Sequence, residues 1–387
     1  MVADDVLGKV RAVLPALAEA AEATERDRRI GDAAIGSLTD AGLFRMMLPA
    51  RFSGLESTPL ELFTAIRAVS SACASTGWVA STLCLATWQV ALFDTRAQEE
   101  VWDGHPDSLV AAAYQPAGRL RPDGDRFRLT GRWRYVSGCE HSAWLFVGAL
   151  VLDEAGDSVE HALVLVPRAD VTVHRGPDCV GLRAAANTEI MIEDAAVPSH
   201  RVYGAQQRAL RENRKYERAL RPLYRHLVTP MYTVALTVPL IGAAEGALRH
   251  FTGSGSAGRV GVRMLENEAV HIAIARAAYE IDTAAAQIDG DLAEMHALVV
   301  AAKPMPVELS ARVRRDQVLA TERVAAAVDR LLRAGGRPCL ASDNPVQRAW
   351  RDIHVGAAHR VNEAEDVLAI AGRAALGVGA ADEPIFV

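Results

Sequence analysis

The hydrophobic period of this sequence changes twice. Before about residue 110, apolar residues such as Ala33, Ile35, Leu38, Ala41 and Leu43 recur every two to four positions, the spacing of one helical face. Past the turn signal Pro122-Asp123-Gly124-Asp125 the period shortens, and Phe127, Leu129, Trp133 and Tyr135 alternate with polar neighbours as in a strand. After Arg201 the helical spacing returns in long alanine-rich segments over about 229–252, 265–298, 306–335 and 345–371. This order predicts an α+β, mainly α chain: a helical domain over 1–110, a β domain over 111–202 and a four-helix bundle over 203–387.

Local signals sharpen the outline. Thr58-Pro59-Leu60-Glu61 has the composition of a helix start, with a capping hydroxyl, a proline in the first turn and an acid behind it. Ser70 to Ala86 is dominated by small residues, which predicts an interior helix of a tight bundle. Further strands are expected over Leu145–Leu152, His161–Val166, Val171–His174 and Thr188–Ile192.

Composition excludes several classes. Half of the 387 residues are hydrophobic and 23% are charged, so the chain is not disordered. A net charge of −6 offers no general attraction to nucleic acid or anionic membranes. The five cysteines (Cys73, Cys84, Cys139, Cys179, Cys339) are scattered, odd in number and without a CxxC, which argues against a disulfide framework or zinc ribbon and for a reducing, cytoplasmic setting. The opening residues carry early acids and a helical period rather than a signal-peptide pattern. His226 to Ala244 is apolar but holds Pro230, Pro239 and three threonines, as expected of a buried bundle helix rather than a membrane span.

Three motifs fail on context. Gly253 to Gly258 matches GxGxxG, but a helical pattern precedes it where a dinucleotide site needs a strand. Glu268-Ala269-Val270-His271 is a single ExxH, and two are needed to hold a di-iron centre. His354 and His359 are five apart, about 140° around a helix, so they cannot chelate one metal side by side. No metal site is expected. The basic stretch 201–225 reads either as a solvated helix face or as a phosphate contact.

Ordered stretches along nearly the whole chain resemble the acyl-CoA dehydrogenase fold: Ala41 to Phe44 with Leu48 to Gly54, Gly181-Leu182-Arg183 through Ile192 to Pro198, and Glu266 to Val270. The dehydrogenase branch commonly places a carboxylate base after an Arg-Asp pair. Here Arg351-Asp352 is followed by His359-Arg360-Val361-Asn362, and an arginine stays protonated. This stretch, with Gly131 to His141 and Gly77-Trp78, is instead similar to the oxygenase components of two-component flavin-dependent monooxygenases. These include 4-hydroxyphenylacetate and steroid-phenol hydroxylases, aromatic polyketide hydroxylases and nitrososynthases.

The resemblance implies reduced FMN (FMNH2) or FADH2 delivered by a separate NAD(P)H-flavin reductase. Molecular oxygen would form a C4a-hydroperoxyflavin that hydroxylates a phenolic or polyketide-like small molecule. It assigns His359 to the substrate's proton or the peroxide oxygen, and Ser137 to the flavin N5/C4a edge. Trp133 and Tyr135 either wall the isoalloxazine or fill core. Gln115 falls with the cofactor residues, Trp78 and His141 with the substrate pocket. Arg259 and Arg263 lie near a flavin-phosphate arginine contributed across a subunit interface, in a homotetramer. The alternatives are N-oxidation of a nucleotide-linked amino sugar, a flavin dehydrogenase acting on a thioester, and a non-catalytic oligomeric scaffold.

Overall fold

In a computed structural model, residues 3–185, 188–205, 221–256 and 266–377 are described. The chain opens with helices α1 (Ala3–Asp27), α2 (Asp32–Asp40), α3 (Pro59–Ala72), α4 (Ala74–Val90) and α5 (Thr95–Trp102). A reciprocal capping box starts α3: the Thr58 hydroxyl accepts the Glu61 N–H, and the Glu61 carboxylate accepts the Thr58 N–H at 2.7 Å. The small-residue stretch spans two helices rather than one, because Cys73 adopts an extended backbone (φ −152°, ψ 112°). Every residue of α4 except Thr82 is buried. Its glycine permits this: a Cβ on Gly77 would lie 1.8 Å from the Ser70 hydroxyl.

The β region is one seven-stranded sheet. Its strands are β1 (Val110–Asp123), β2 (Arg126–Arg134), β3 (Trp144–Leu152), β4 (Ser158–Pro167), β5 (Thr172–Arg175), β6 (Thr188–Pro198) and β7 (Val202–Tyr203), in spatial order β5-β6-β2-β1-β3-β4-β7. Only β1 and β3 pair in parallel; the other neighbours are antiparallel. Between the pairs Ala113–Val147 and Gly118–Ala149, residues 114–117 of β1 face Gly148 alone. This bulge turns Tyr114 toward the helices.

The second helical region holds α6 (Val228–Ser256), α7 (Glu268–Val300), α8 (Val307–Cys339), α9 (Pro345–Ala357) and α10 (Ala364–Ala375). By length and composition α6 could cross a membrane, but 78% of its apolar window is buried against the other elements, as in a core helix. Gly253 falls inside α6, and no strand leads into it. None of the five cysteines forms a disulfide.

The helical pattern expected over 345–371 is broken. After Ala357 the chain leaves the helix, makes a tight 3-10 turn over Arg360–Asn362 and restarts at Ala364. The apolar period runs through the break because both α9 and α10 pack on α8. Polar capping at His359 and Asn362 makes the interruption, and it places both residues at the heart of the candidate site.

Candidate active site

His359 sits in the extended backbone just before the turn, and its Nδ1 accepts the Val361 N–H at 3.3 Å. A nitrogen that accepts a backbone N–H carries no proton of its own, so the neutral ring holds its proton on Nε2. Burial lowers the imidazole's pKa below its ordinary value, which keeps this neutral form at neutral pH. The ring lies 6.4 Å from Trp78 and 6.4 Å, edge-on, from Tyr232, and Tyr232 lies 4.5 Å from Tyr114 between ring centroids. Burial pushes the Tyr232 phenol up to about 12 and Tyr114 well above its usual value. Of these four side chains, His359 is therefore the one able to exchange a proton near neutrality.

A buried amide network fixes the turn. Asn362 donates to the Gly356 carbonyl at 2.9 Å and accepts from Gln317 Nε2 at 2.5 Å, while its backbone N–H donates to the His359 carbonyl at 2.8 Å. Gln317 Nε2 also donates to Thr237 at 2.7 Å and Gln317 Oε1 accepts from Arg314, whose Nη1 reaches the Val361 carbonyl at 3.1 Å. Gln317 and Thr237 are wholly buried, and Arg314 and Asn362 nearly so. Buried amides in this state of mutual satisfaction resist displacement, because moving one leaves several polar groups unpaired.

Ser137 stands on the other side of α4. At the end of β2 the backbone reverses through Tyr135 (φ 61°) and Gly138 (φ 78°), and Tyr135 N–H donates to the Thr188 carbonyl at 2.7 Å. Gly138 lies against α4: a Cβ there would be 2.8 Å from Leu83 and 3.2 Å from Val79. The same helix carries Trp78, which packs on Gly356 and His359. Thus α4 is the shared wall between the Ser137 turn and the His359 turn. The Ser137 hydroxyl is buried and donates to the Ala185 carbonyl at 3.0 Å, which leaves its oxygen lone pairs to accept.

The remaining expected residues divide. Trp133 has no exposed surface, and its indole N–H bridges the bulge carbonyls of Gln115 (3.1 Å) and Gly148 (2.9 Å), so it fills core and braces the sheet instead of walling a ligand. Tyr135, two residues before Ser137 in the same turn, is 49% exposed, an aromatic ring open to a planar partner. The Gln115 side chain is exposed on the bulge. His141 places its Nδ1 3.4 Å from Asp32 of α2, and its Nε2 is buried without a hydrogen-bond partner. Arg259, Arg263 and residues 206–220 of the basic stretch lie outside the described residues. His354 bonds the Trp350 carbonyl instead of joining His359, and no cluster able to hold a metal occurs among the described residues.

Tyr114, Tyr232, Asn362 and Gln317 were not visible as site residues in the sequence. Tyr114 reads as an ordinary strand position until the bulge is seen, and Asn362 and Gln317 sit inside helical patterns whose apolar spacing they do not disturb.

Family comparisons agree with this architecture. The acyl-CoA dehydrogenase N-terminal domain model matches residues 3–102, and the acyl-CoA dehydrogenase C-terminal domain model matches 234–364. The flavin-dependent monooxygenase oxygenase subunit HsaA of Mycobacterium tuberculosis is 35% identical over 386 residues, covering 98% of this chain and 97% of the relative. The chain belongs to the flavin-dependent monooxygenases of acyl-CoA dehydrogenase fold, as an oxygenase subunit. Within that family, the FADH2-dependent resorcinol hydroxylase oxygenase component of a Rhizobium strain is 31% identical, over 96% of this chain and 94% of that one. The crystal structure of 3-HSA hydroxylase from Rhodococcus sp. RHA1 superposes with a TM-score of 0.91 at 34% identity, covering 97% of each chain. Oxygenase subunits of this family use reduced flavin, which a separate component supplies. The residues here suit that group: one turn carries an exposed aromatic ring, Tyr135, and a hydroxyl, Ser137, whose lone pairs remain to accept.

Proposed function

We propose that this oxygenase subunit hydroxylates a phenolic small molecule, with reduced flavin bound at the Ser137–Tyr135 turn and the substrate ring held among Trp78, Tyr232 and His359. The observation that carries the reading is the hydrogen bond from the Val361 N–H to His359 Nδ1. That backbone-bonded Nδ1 leaves an Nε2–H donor in a largely buried aromatic enclosure. Such a donor stabilises a phenolate oxygen relative to the phenol, and a phenolate ring is the better nucleophile toward an electrophilic oxygen. The family relatives named for resorcinol and 3-HSA hydroxylation support a hydroxylated aromatic substrate.

Reduced flavin, together with dioxygen, supplies the oxygen atom that is transferred; in the notation of the family this is C4a chemistry. The chain's own tasks are narrower. Ser137 would hold the reduced flavin as a hydrogen-bond acceptor at its N5 edge, since its own proton is committed to Ala185. Trp78 and Tyr232 exclude water with rings whose hydroxyl and amine protons do not dissociate at neutral pH. His359 donates its Nε2–H to the oxygen of a substrate whose phenolic proton has gone to solvent on binding, and so stays neutral throughout.

The assembly expected with this reading is a homotetramer. The test is to supply enzymatically reduced FMN or FAD with labelled dioxygen and a panel of phenols, thioesters and amino sugars. One labelled oxygen atom in a catechol product is the expected result. Labelled oxygen found only in peroxide, or on nitrogen, overturns the phenol reading.

A further inference from the structure

A chain of hydrogen bonds joins α9 to the Ser137 hydroxyl. Asp352, on α9 and only 5% exposed, accepts the Leu182 N–H at 2.6 Å. The Leu182 carbonyl accepts the Ala185 N–H at 2.8 Å, and the Ala185 carbonyl accepts the Ser137 hydroxyl at 3.0 Å. The turn lies directly on the helix: a Cβ on Gly181 would be 2.2 Å from the Arg351 carbonyl oxygen. Arg351 Nη1 donates to the Val180 carbonyl at 2.6 Å, and Leu182 itself is held at φ 47°, a conformation that needs outside support in a residue with a branched side chain.

The same helix ends at Ala357, five residues beyond Asp352 or about 7.5 Å along the helix axis at 1.5 Å per residue, and the His359 turn follows it directly. Resting on the reading of Ser137 as the flavin's hydrogen-bond acceptor, we propose that Asp352 is a positioning residue for the reaction: through the 180–185 turn it holds the Ser137 hydroxyl pointed at Ala185, so that its lone pairs stay presented to the flavin. If the turn lifts, the Ala185 carbonyl withdraws and the hydroxyl is free to rotate its own proton into the site. The device joins Ser137 and His359 to one rigid element, α9.

Burial raises the Asp352 carboxyl to about 6, so keeping it ionised at neutral pH opposes folding. A carboxylate retained under that penalty, with its oxygen committed to one backbone N–H, fits a positioning role better than a packing one.

The first test reads the flavin-free protein. Native-state amide exchange at Leu182 and Ala185 should accelerate about 10- to 100-fold in Asp352→Ala, the loss of one charge-assisted hydrogen bond. It should return toward the native rate in Asp352→Asn, which keeps an acceptor oxygen. The second test measures affinity for reduced flavin and the fraction of flavin oxidation lost as peroxide in Ser137→Ala, Asp352→Ala and the double variant. The double variant should match Ser137→Ala alone. Should Asp352→Ala not fold, Gly181→Ala lifts the same turn without touching Asp352 and should show the same non-additivity with Ser137→Ala. Additive losses, or unchanged exchange at Leu182, overturn the inference while leaving Ser137 in its role. If Ser137→Ala alone alters neither flavin affinity nor peroxide release, the reading of Ser137 falls, and this inference with it.

Discussion

The two sides of the site are built by opposite means. On the His359 side, a helix is interrupted and the break is locked from behind by side chains: Asn362, Gln317, Thr237 and Arg314 satisfy one another and the turn's carbonyls. On the Ser137 side almost all of the bonds are to backbone, and the geometry rests on residues in left-handed conformations, Tyr135, Gly138 and Leu182, docked against α4 and α9. A side-chain network is specific but brittle, since removing one member strands the others. A docked backbone turn yields in smaller steps, because its support is spread over several contacts. The His359 side is therefore expected to fail sharply under mutation and the Ser137 side gradually.

That contrast can be broken in four places. His359→Ala should cost most, lowering hydroxylation about 10²- to 10³-fold, the usual worth of one placed hydrogen-bond donor at a developing charge, while flavin oxidation continues as peroxide release. The same residue sets a pH dependence. Because burial lowers the folded pKa, the unfolded chain binds the proton first as pH falls. The stability this histidine contributes is thus complete above its ordinary value of about 6.5 and is lost at lower pH, and hydroxylation should hold level through neutrality and drop on acidification.

Asn362→Ala comes next. It strands the Gln317 amide and the Gly356 carbonyl, which should cost about 2 to 4 kcal/mol in denaturant unfolding, and a displaced His359 should lower turnover about 100-fold. Ser137→Ala removes one hydrogen bond and should raise peroxide release about 10-fold with little change in unfolding midpoint. If Ser137→Ala proves as damaging as Asn362→Ala, the contrast between the two sides is wrong. Tyr114→Phe should be the mildest change. The Tyr114 hydroxyl is buried and has no hydrogen-bond partner, so removing it should stabilise the chain by about 1 kcal/mol, read from the shift in unfolding midpoint.

The fold was legible because it is written in period. The switch from helical to strand spacing and back places the sheet between two helical regions, and small residues mark α4 as an interior helix. The site was legible only in part. His359 and Trp78 lie together as their motifs imply, and Ser137 occupies a buried turn. The identities of their supports were not, for a physical reason: a bulge in β1 and a break after α9 change where side chains point without changing the apolar spacing from which elements are inferred. Trp133 shows the converse. Its motif leaves it either a flavin wall or core, and its indole N–H bonds the Gln115 carbonyl in the bulge and the Gly148 carbonyl opposite it, inside the sheet. His141, four residues after Ser137, sits at the end of a 3-10 turn over Cys139–His141 that brings its Nδ1 to Asp32 of α2.

The most direct test of the account is a rapid-mixing experiment on the purified oxygenase subunit. Anaerobic protein loaded with reduced flavin is mixed with oxygenated buffer without substrate, and the return of oxidised-flavin absorbance is timed against peroxide release. A site that excludes water and holds the flavin's N5–H through Ser137 predicts that both are delayed well beyond the oxidation of free reduced flavin, with the delay shortened in Ser137→Ala. Immediate oxidation with both FMN and FAD, at the rate of the free flavins, would contradict it.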